Sequence, residues 1–213
     1  MKKYPIRKII RIVWFSFAAI FILWNWYTFQ ARSLPENTFI TNEKVKVVET
    51  KDQIVFDALN SSKTLDIIFF PGGLTDPNAY GPLCRQLALA GCTCHLIKMS
   101  LRLAQRDYKK ISTMFDLASG HYVIGGHSQG GKMAAQFVYE NPGLMKGLFL
   151  LGTSHPRDID LSNKNIPTMK LYAEHDGLAS VAEVLENKPK LPMDTQLLFI
   201  KGGNHWYWAF NLW

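Results

Sequence analysis

Six near-continuous apolar runs, separated by stretches of helical spacing, constrain this chain more than any other feature. They lie at 65–70 (LDIIFF), 92–97, 121–125, 147–151, 168–172 and 195–200. Apolar residues recur with helical period at 80–90, 101–118, 129–140 and 179–186, with stop signals such as Gly91, Ser119-Gly120 and Asn141-Pro142-Gly143. A strand that is apolar on both faces needs cover on both faces, and helical connections make neighbouring strands parallel. Right-handed crossovers then wind the helices onto the two sides. The expected fold class is α/β, with a doubly wound, mostly parallel sheet. Ahead of it, 44–48 and 53–59 flank Thr50-Lys51-Asp52 and predict a β-hairpin. Ligands of such sheets bind outside the carboxyl ends of the strands, so chemistry is expected there.

The N-terminus has a different character. Lys2, Lys3, Arg7, Lys8 and Arg11 supply five of the seven net positive charges of the chain. The remainder carries no basic cluster dense enough to track phosphates, which argues against a nucleic-acid partner. Residues 12–29 (IVWFSFAAIFILWNWYTF) hold no charge and, as a helix, reach about 27 Å. Trp24, Trp26 and Tyr27 gather at the far end, as interfacial rings do. The expectation is a single-pass anchor over 12–29, with a cytoplasmic N-terminus and the domain outside the cell. The alternative is a signal segment cleaved near Ser33. The expected organisation is an anchor or signal over 1–33, a linker over 34–43 and one domain over 44–213. Cys84, Cys92 and Cys94 are odd in number and form no Cys-x-x-Cys pair, so buried free thiols and no metal site are expected.

Directly after the 121–125 strand comes Gly126-His127-Ser128-Gln129-Gly130, followed by a helix. Gly-x-Ser-x-Gly between strand and helix is a nucleophile elbow: small residues let the chain turn sharply and expose the Ser128 hydroxyl. His127, inside the elbow, must point away from the attack path. His205 follows the 195–200 strand through Lys201-Gly202-Gly203-Asn204, at the same sheet edge. The remaining histidines sit in or beside strands or on open loops. PGG at 71–73 follows the 65–70 strand.

Together with LYAEHDGLAS at 171–180 and GGNH at 202–205, these motifs resemble the α/β-hydrolase superfamily, near its small lidless esterase or dienelactone-hydrolase-like members. The resemblance covers about residue 44 onward and implies the order serine, acid, histidine. It places the acid at Asp176, with Glu174 as fallback. It also implies an oxyanion hole from the backbone N–H of Gln129 and of Gly73, with Leu74 as the alternative. Pro71 stands where many relatives carry histidine, which a backbone donor tolerates. The fold usually ends in a full helix, whereas only WYWAFNLW follows His205 here.

A serine hydroxyl attacks a carbonyl only if a base takes its proton, and neutral imidazole does so near neutral pH. An aspartate fixes the imidazole tautomer. The expected activity is hydrolysis of carboxylic esters through an acyl-enzyme, without cofactor or metal. A thioesterase, acyltransferase or peptidase would use the same residues, and a non-catalytic binding module of the same fold is the alternative class. The short stretch 152–167 leaves no room for a helical cap. An open site is therefore expected, shaped by loops near 74–80 and 206–208 and suited to short-chain or otherwise accessible esters.

Overall fold

The computed structural model describes residues 5–59 and 65–207. A helix, α1 (Pro5–Thr28), comes first. The hairpin is β1 (Val45–Glu49) and β2 (Gln53–Ala58), paired antiparallel. There follow β3 (Asp66–Phe70), α2 (Gly81–Leu89), β4 (Thr93–Ile97), and two single-turn helices, α3 (Ala104–Asp107) and α4 (Ile111–Met114). The second half comprises β5 (Tyr122–His127), α5 (Gln129–Glu140), β6 (Gly147–Leu151), β7 (Thr168–His175), α6 (Val181–Glu186) and β8 (Gln196–Asn204).

The eight strands form one sheet in the order β1-β2-β4-β3-β5-β6-β7-β8, and only β2 runs against the rest. Period-two alternation along β3 divides the core. Ile68 and Phe70 face α5, joining Ile111, Met133 and Phe137, whereas Ile67 and Phe69 face α2, joining Tyr80 and Cys84. Both faces are therefore buried, as continuous apolar strands require. Cys84, Cys92 and Cys94 are free thiols, the first and last buried. Between β6 and β7 no helix or strand intervenes.

Three expectations change. The helix expected over 101–118 is broken into α3, α4 and single 3₁₀ turns, because Leu101 and Arg102 take left-handed backbone angles and Phe115 is extended. The strand at 195–200 runs on to Asn204, with an irregular register opposite Ala173 to His175. The third concerns the membrane anchor: among the described residues no helix is long and apolar enough to cross a membrane. The stretch expected to span is helical, but α1 includes Arg7, Lys8 and Arg11 at one end and Asn25 and Thr28 at the other. The run between them, already interrupted by Ser16, falls short of the roughly 20 apolar residues that a hydrocarbon core demands.

The stretch between α1 and the sheet is attached to the domain. Thr38 is buried, and the Arg85 guanidinium donates to the Thr38 and Ile40 carbonyls at 3.2 and 2.7 Å. Ala31 packs on the α2 side of the core.

Candidate active site

Ser128 sits between β5 and α5 with φ 50° and ψ −117°. A positive φ in a non-glycine residue costs of order 1–3 kcal/mol and persists only where its surroundings enforce it. The enforcement comes from two glycines. A Cβ on Gly130 would stand 2.1 Å from the Phe70 carbonyl oxygen, and one on Gly126 would stand 2.3 Å from the same atom. The elbow is thus pressed against the end of β3, and the Ser128 N–H is held by the Leu151 carbonyl at 2.9 Å.

Strand register brings Asp176 and His205 together. His175 on β7 is the partner of Asn204 on β8, so the residues immediately following them emerge side by side. His205 Nδ1 donates to both oxygens of Asp176, at 2.8 and 2.9 Å, and both side chains are buried. Burial pushes the Asp176 carboxyl up. The His205 bond and the N–H groups of Ala179 and Leu178 outweigh it and hold the carboxyl below its ordinary value. Asp176 is therefore an anion near neutral pH, and His205 Nε2 is the ring nitrogen left over. Glu174 instead accepts from the Gly202 N–H at 2.8 Å, away from the histidine ring. No hydrogen bond joins the Ser128 hydroxyl to His205 among the described residues, but the two line the same cavities. Such bonds commonly tighten only when substrate is bound.

The three backbone N–H groups expected as oxyanion donors differ in whether they already have an acceptor. Gln129 opens α5, so its N–H is among the four a helix leaves without an internal acceptor, at the positive end of the dipole. Among the described residues nothing accepts from the Gly73 N–H, and Gly73 lies against the Gln129 side chain. The Leu74 N–H is excluded as a donor, because it bonds the Arg102 carbonyl at 2.7 Å. The left-handed turn at Leu101–Arg102 presents that carbonyl to the loop.

His127 points inward, as the elbow requires, and links the two halves of the site. The Gly72 N–H donates to the Tyr80 hydroxyl at 3.0 Å, Tyr80 to His127 Nδ1 at 2.7 Å, and His127 Nε2 to the His205 carbonyl at 2.9 Å. A carbonyl can only accept, which assigns the proton of the neutral ring to Nε2 and makes Nδ1 the acceptor. Burial, then the neighbouring His205, lowers the His127 pKa to about 3, so the ring stays neutral. Sequence reasoning turned His127 away from the attack path but gave it no partner, and Tyr80 was read as the start of a helix and the end of a loop shaping the site, not as a hydrogen-bond partner of His127. The available signal was a histidine between Gly126 and Ser128 at the end of an apolar strand.

Two cavities meet at Ser128, Gln129, Leu178 and His205. One, of about 340 Å³, has apolar walls from Phe29, Leu74, Leu103 and Trp206. The other, of about 290 Å³, is polar, with Lys132, Thr153, Ser154, His155 and Arg157. A bond held at Ser128 would thus have one substituent on each side. Phe29 was not foreseen, since its segment was read as an anchor.

Residues 66–210 match the model of a family described as the alpha/beta hydrolase family. A solved structure described as an alpha-beta serine hydrolase homologue from Coxiella burnetii shares the fold with a TM-score of 0.58 at 12% identity, covering 79% of this chain and 92% of that one. No curated protein matches in sequence. With the match spanning most of the chain and the sheet order, elbow and strand-end pair all in place, the chain belongs to the alpha/beta hydrolase family.

Proposed function

We propose that the protein is a serine hydrolase that cleaves carboxylic esters through an acyl-enzyme on Ser128. The observation carrying this reading is the buried His205–Asp176 pair beside a strained Ser128, with the N–H groups of Gly73 and Gln129 available. Ser128 Oγ attacks the ester carbonyl carbon while His205 Nε2 takes its proton. The carbonyl oxygen, now negative, lies between the Gly73 and Gln129 N–H groups, each such donor being worth about 2.7–4 kcal/mol. His205 returns the proton to the departing alkoxide, and Asp176 stays ionised throughout. Water, deprotonated by the same histidine, then attacks the acyl-enzyme, releasing the acid and restoring Ser128. Thioesters and amides would follow the same steps.

The test is labelling of the full chain with a fluorophosphonate probe. A fragment starting at residue 34 would lack Phe29 and Ala31, so the full chain is required. Labelling is expected to vanish in Ser128→Ala and to slow by about 10³-fold or more in His205→Ala. An unlabelled, folded wild-type protein would remove the reading.

We propose further that α1 holds the protein on a membrane surface. None of its described residues is buried. Its polar residues are Arg7, Lys8 and Arg11 in the first two turns and Ser16, Asn25 and Thr28 beyond them, and the rest of its length is apolar. Asn25 Nδ2 donates to the Phe21 carbonyl and the Thr28 hydroxyl to the Trp24 carbonyl, both at 2.8 Å, which lowers the cost of placing them in lipid. Interfacial helices with basic residues bind anionic lipid. Flotation with anionic vesicles, weakened by salt, is the expected outcome.

A further inference from the structure

The segment that follows α1 is built into the apolar cavity at Ser128. The Phe29 carbonyl accepts from the Asp76 N–H at 3.0 Å and from the Arg102 guanidinium at 3.3 Å. The Ala31 N–H donates to the Asp76 carboxylate at 3.3 Å, and Arg102 Nη2 donates to Gln30 Oε1 at 3.1 Å. Arg102 also pairs with Asp76 at 3.6 Å and stacks on the Trp26 ring at 4.0 Å. Its own carbonyl is the one that fixes the Leu74 N–H. One arginine therefore joins the end of α1, the 29–31 strap and the oxyanion loop. With its backbone fixed this way, the Phe29 ring lies 5.7 Å from that of Trp206 and closes one wall of the cavity.

The rim continues this apolar surface outward. Leu74 and Leu178, which line the cavity, are 46% and 67% exposed, and Leu101, beside Arg102, is 63% exposed. Exposed leucines ringing a reactive serine, next to an exposed apolar helix, form one surface suited to lipid rather than water. Trp24, Trp26 and Tyr27, also exposed, stand at the junction, where rings favour the lipid–water boundary. The chain runs from Thr28, the last residue of α1, straight into Phe29.

We infer that the substrate is a lipophilic acyl ester taken from a lipid surface, its acyl chain lying in the cavity walled by Phe29. The polar cavity on the other side of Ser128 takes the leaving group. This inference rests on the ester-hydrolase reading and names its substrate class. It revises the expectation of short-chain esters, which was drawn without a strap in the site. The energetic argument is simple: an acyl chain leaving a bilayer loses about 0.8 kcal/mol for each methylene brought into water, and a cavity opening at the lipid surface avoids that loss.

The experiment uses the full chain with phosphatidylcholine–phosphatidylglycerol vesicles carrying 4-methylumbelliferyl oleate, beside soluble 4-methylumbelliferyl butyrate. The protein is expected to float with the vesicles and to hydrolyse the oleate in them. Phe29→Asp is expected to lower the oleate-to-butyrate ratio of kcat/KM by about tenfold or more. Fluorophosphonate labelling of Ser128 in that variant checks that it is folded; an unlabelled Phe29→Asp is replaced by Phe29→Ala, for which the same direction is expected. Cleavage of butyrate without cleavage of vesicle oleate, an unchanged ratio, or failure to float would overturn the inference and leave the hydrolase reading standing. Absence of both hydrolysis and labelling in the wild type would remove the hydrolase reading and this inference with it.

Discussion

The two ring nitrogens of His127 face opposite halves of the site, one toward the loop at Gly72 through Tyr80 and the other toward the backbone of His205. The chain of bonds from Gly72 to His205 ties the loop at Gly73 to the histidine paired with Asp176. Tyr80→Phe tests this with little change in volume. It leaves the Gly72 N–H and His127 Nδ1 buried without partners, which costs about 1–3 kcal/mol in urea unfolding. Because both halves of the site are displaced slightly, Ser128 labelling is expected to slow by about tenfold to 10²-fold. A purely structural role predicts the stability loss with the labelling rate unchanged, so the two readouts separate positioning from packing.

At the scale of elements, the elbow depends on how closely α5 approaches β3. In Gly130→Ala the new methyl would meet the Phe70 and Pro71 carbonyl oxygens at 2.1 and 2.4 Å, and neither is the free end of a side chain that can swing away. The expected outcome is a loss of about 3 kcal/mol in urea unfolding together with loss of Ser128 labelling. That elbow was legible in the sequence, as were all eight strands and α5, because each rests on local pattern: apolar runs, period-3.6 spacing and glycine at a sharp turn. His205 stood out by its place after the last strand, whereas Asp176 came from the resemblance, which places the acid after the strand at 168–172. What escaped was set by distant partners. The helix expected over 101–118 breaks because Arg102 is diverted to Asp76 and to the 29–31 strap, more than 70 residues away in the chain. The exclusion of the Leu74 N–H follows from the same contact. No local signal in either segment announces it.

For the molecule as a whole, several buried ionisable groups set how stability responds to pH. Burial, assisted by neighbouring charges, lowers His127 to about 3 and His155 to about 4, from 6.5, and Lys170 to about 7, from 10.5. Burial and the neighbouring Arg157 lower Lys170, and its Nζ donates to the His155 carbonyl, with no carboxylate paired to it among the described residues. For each base the folded value lies below the unfolded one, so between the two values the unfolded chain binds more protons. Stability therefore rises with pH across about 3–6.5 for the histidines and about 7–10.5 for the lysine, by up to about 1.4 kcal/mol per pH unit for buried His127 and Lys170 and by less for half-exposed His155. Asp176 adds in the same direction at acid pH, since its carboxyl is held low and its contribution is lost as pH falls through that value. Buried Tyr80 and Cys94 act oppositely: burial raises both, so the unfolded chain loses those protons first and stability declines once their ordinary values of 10.0 and 9.0 are approached. The two trends place the maximum of urea-unfolding free energy on the alkaline side of neutrality, at about pH 9–10, where the losses from Cys94 and Tyr80 overtake the gain from Lys170. Lys170→Met removes the lysine. It is expected to be more stable than the wild type at pH 7 and to flatten the rise between pH 7 and 8.5, while the acid limb from His127 persists and that from His155 weakens slightly, since the Lys170 charge helps to lower it. A maximum below pH 6.5 in the wild type, or an undiminished alkaline rise in Lys170→Met, would show that the lysine is not held neutral by its surroundings.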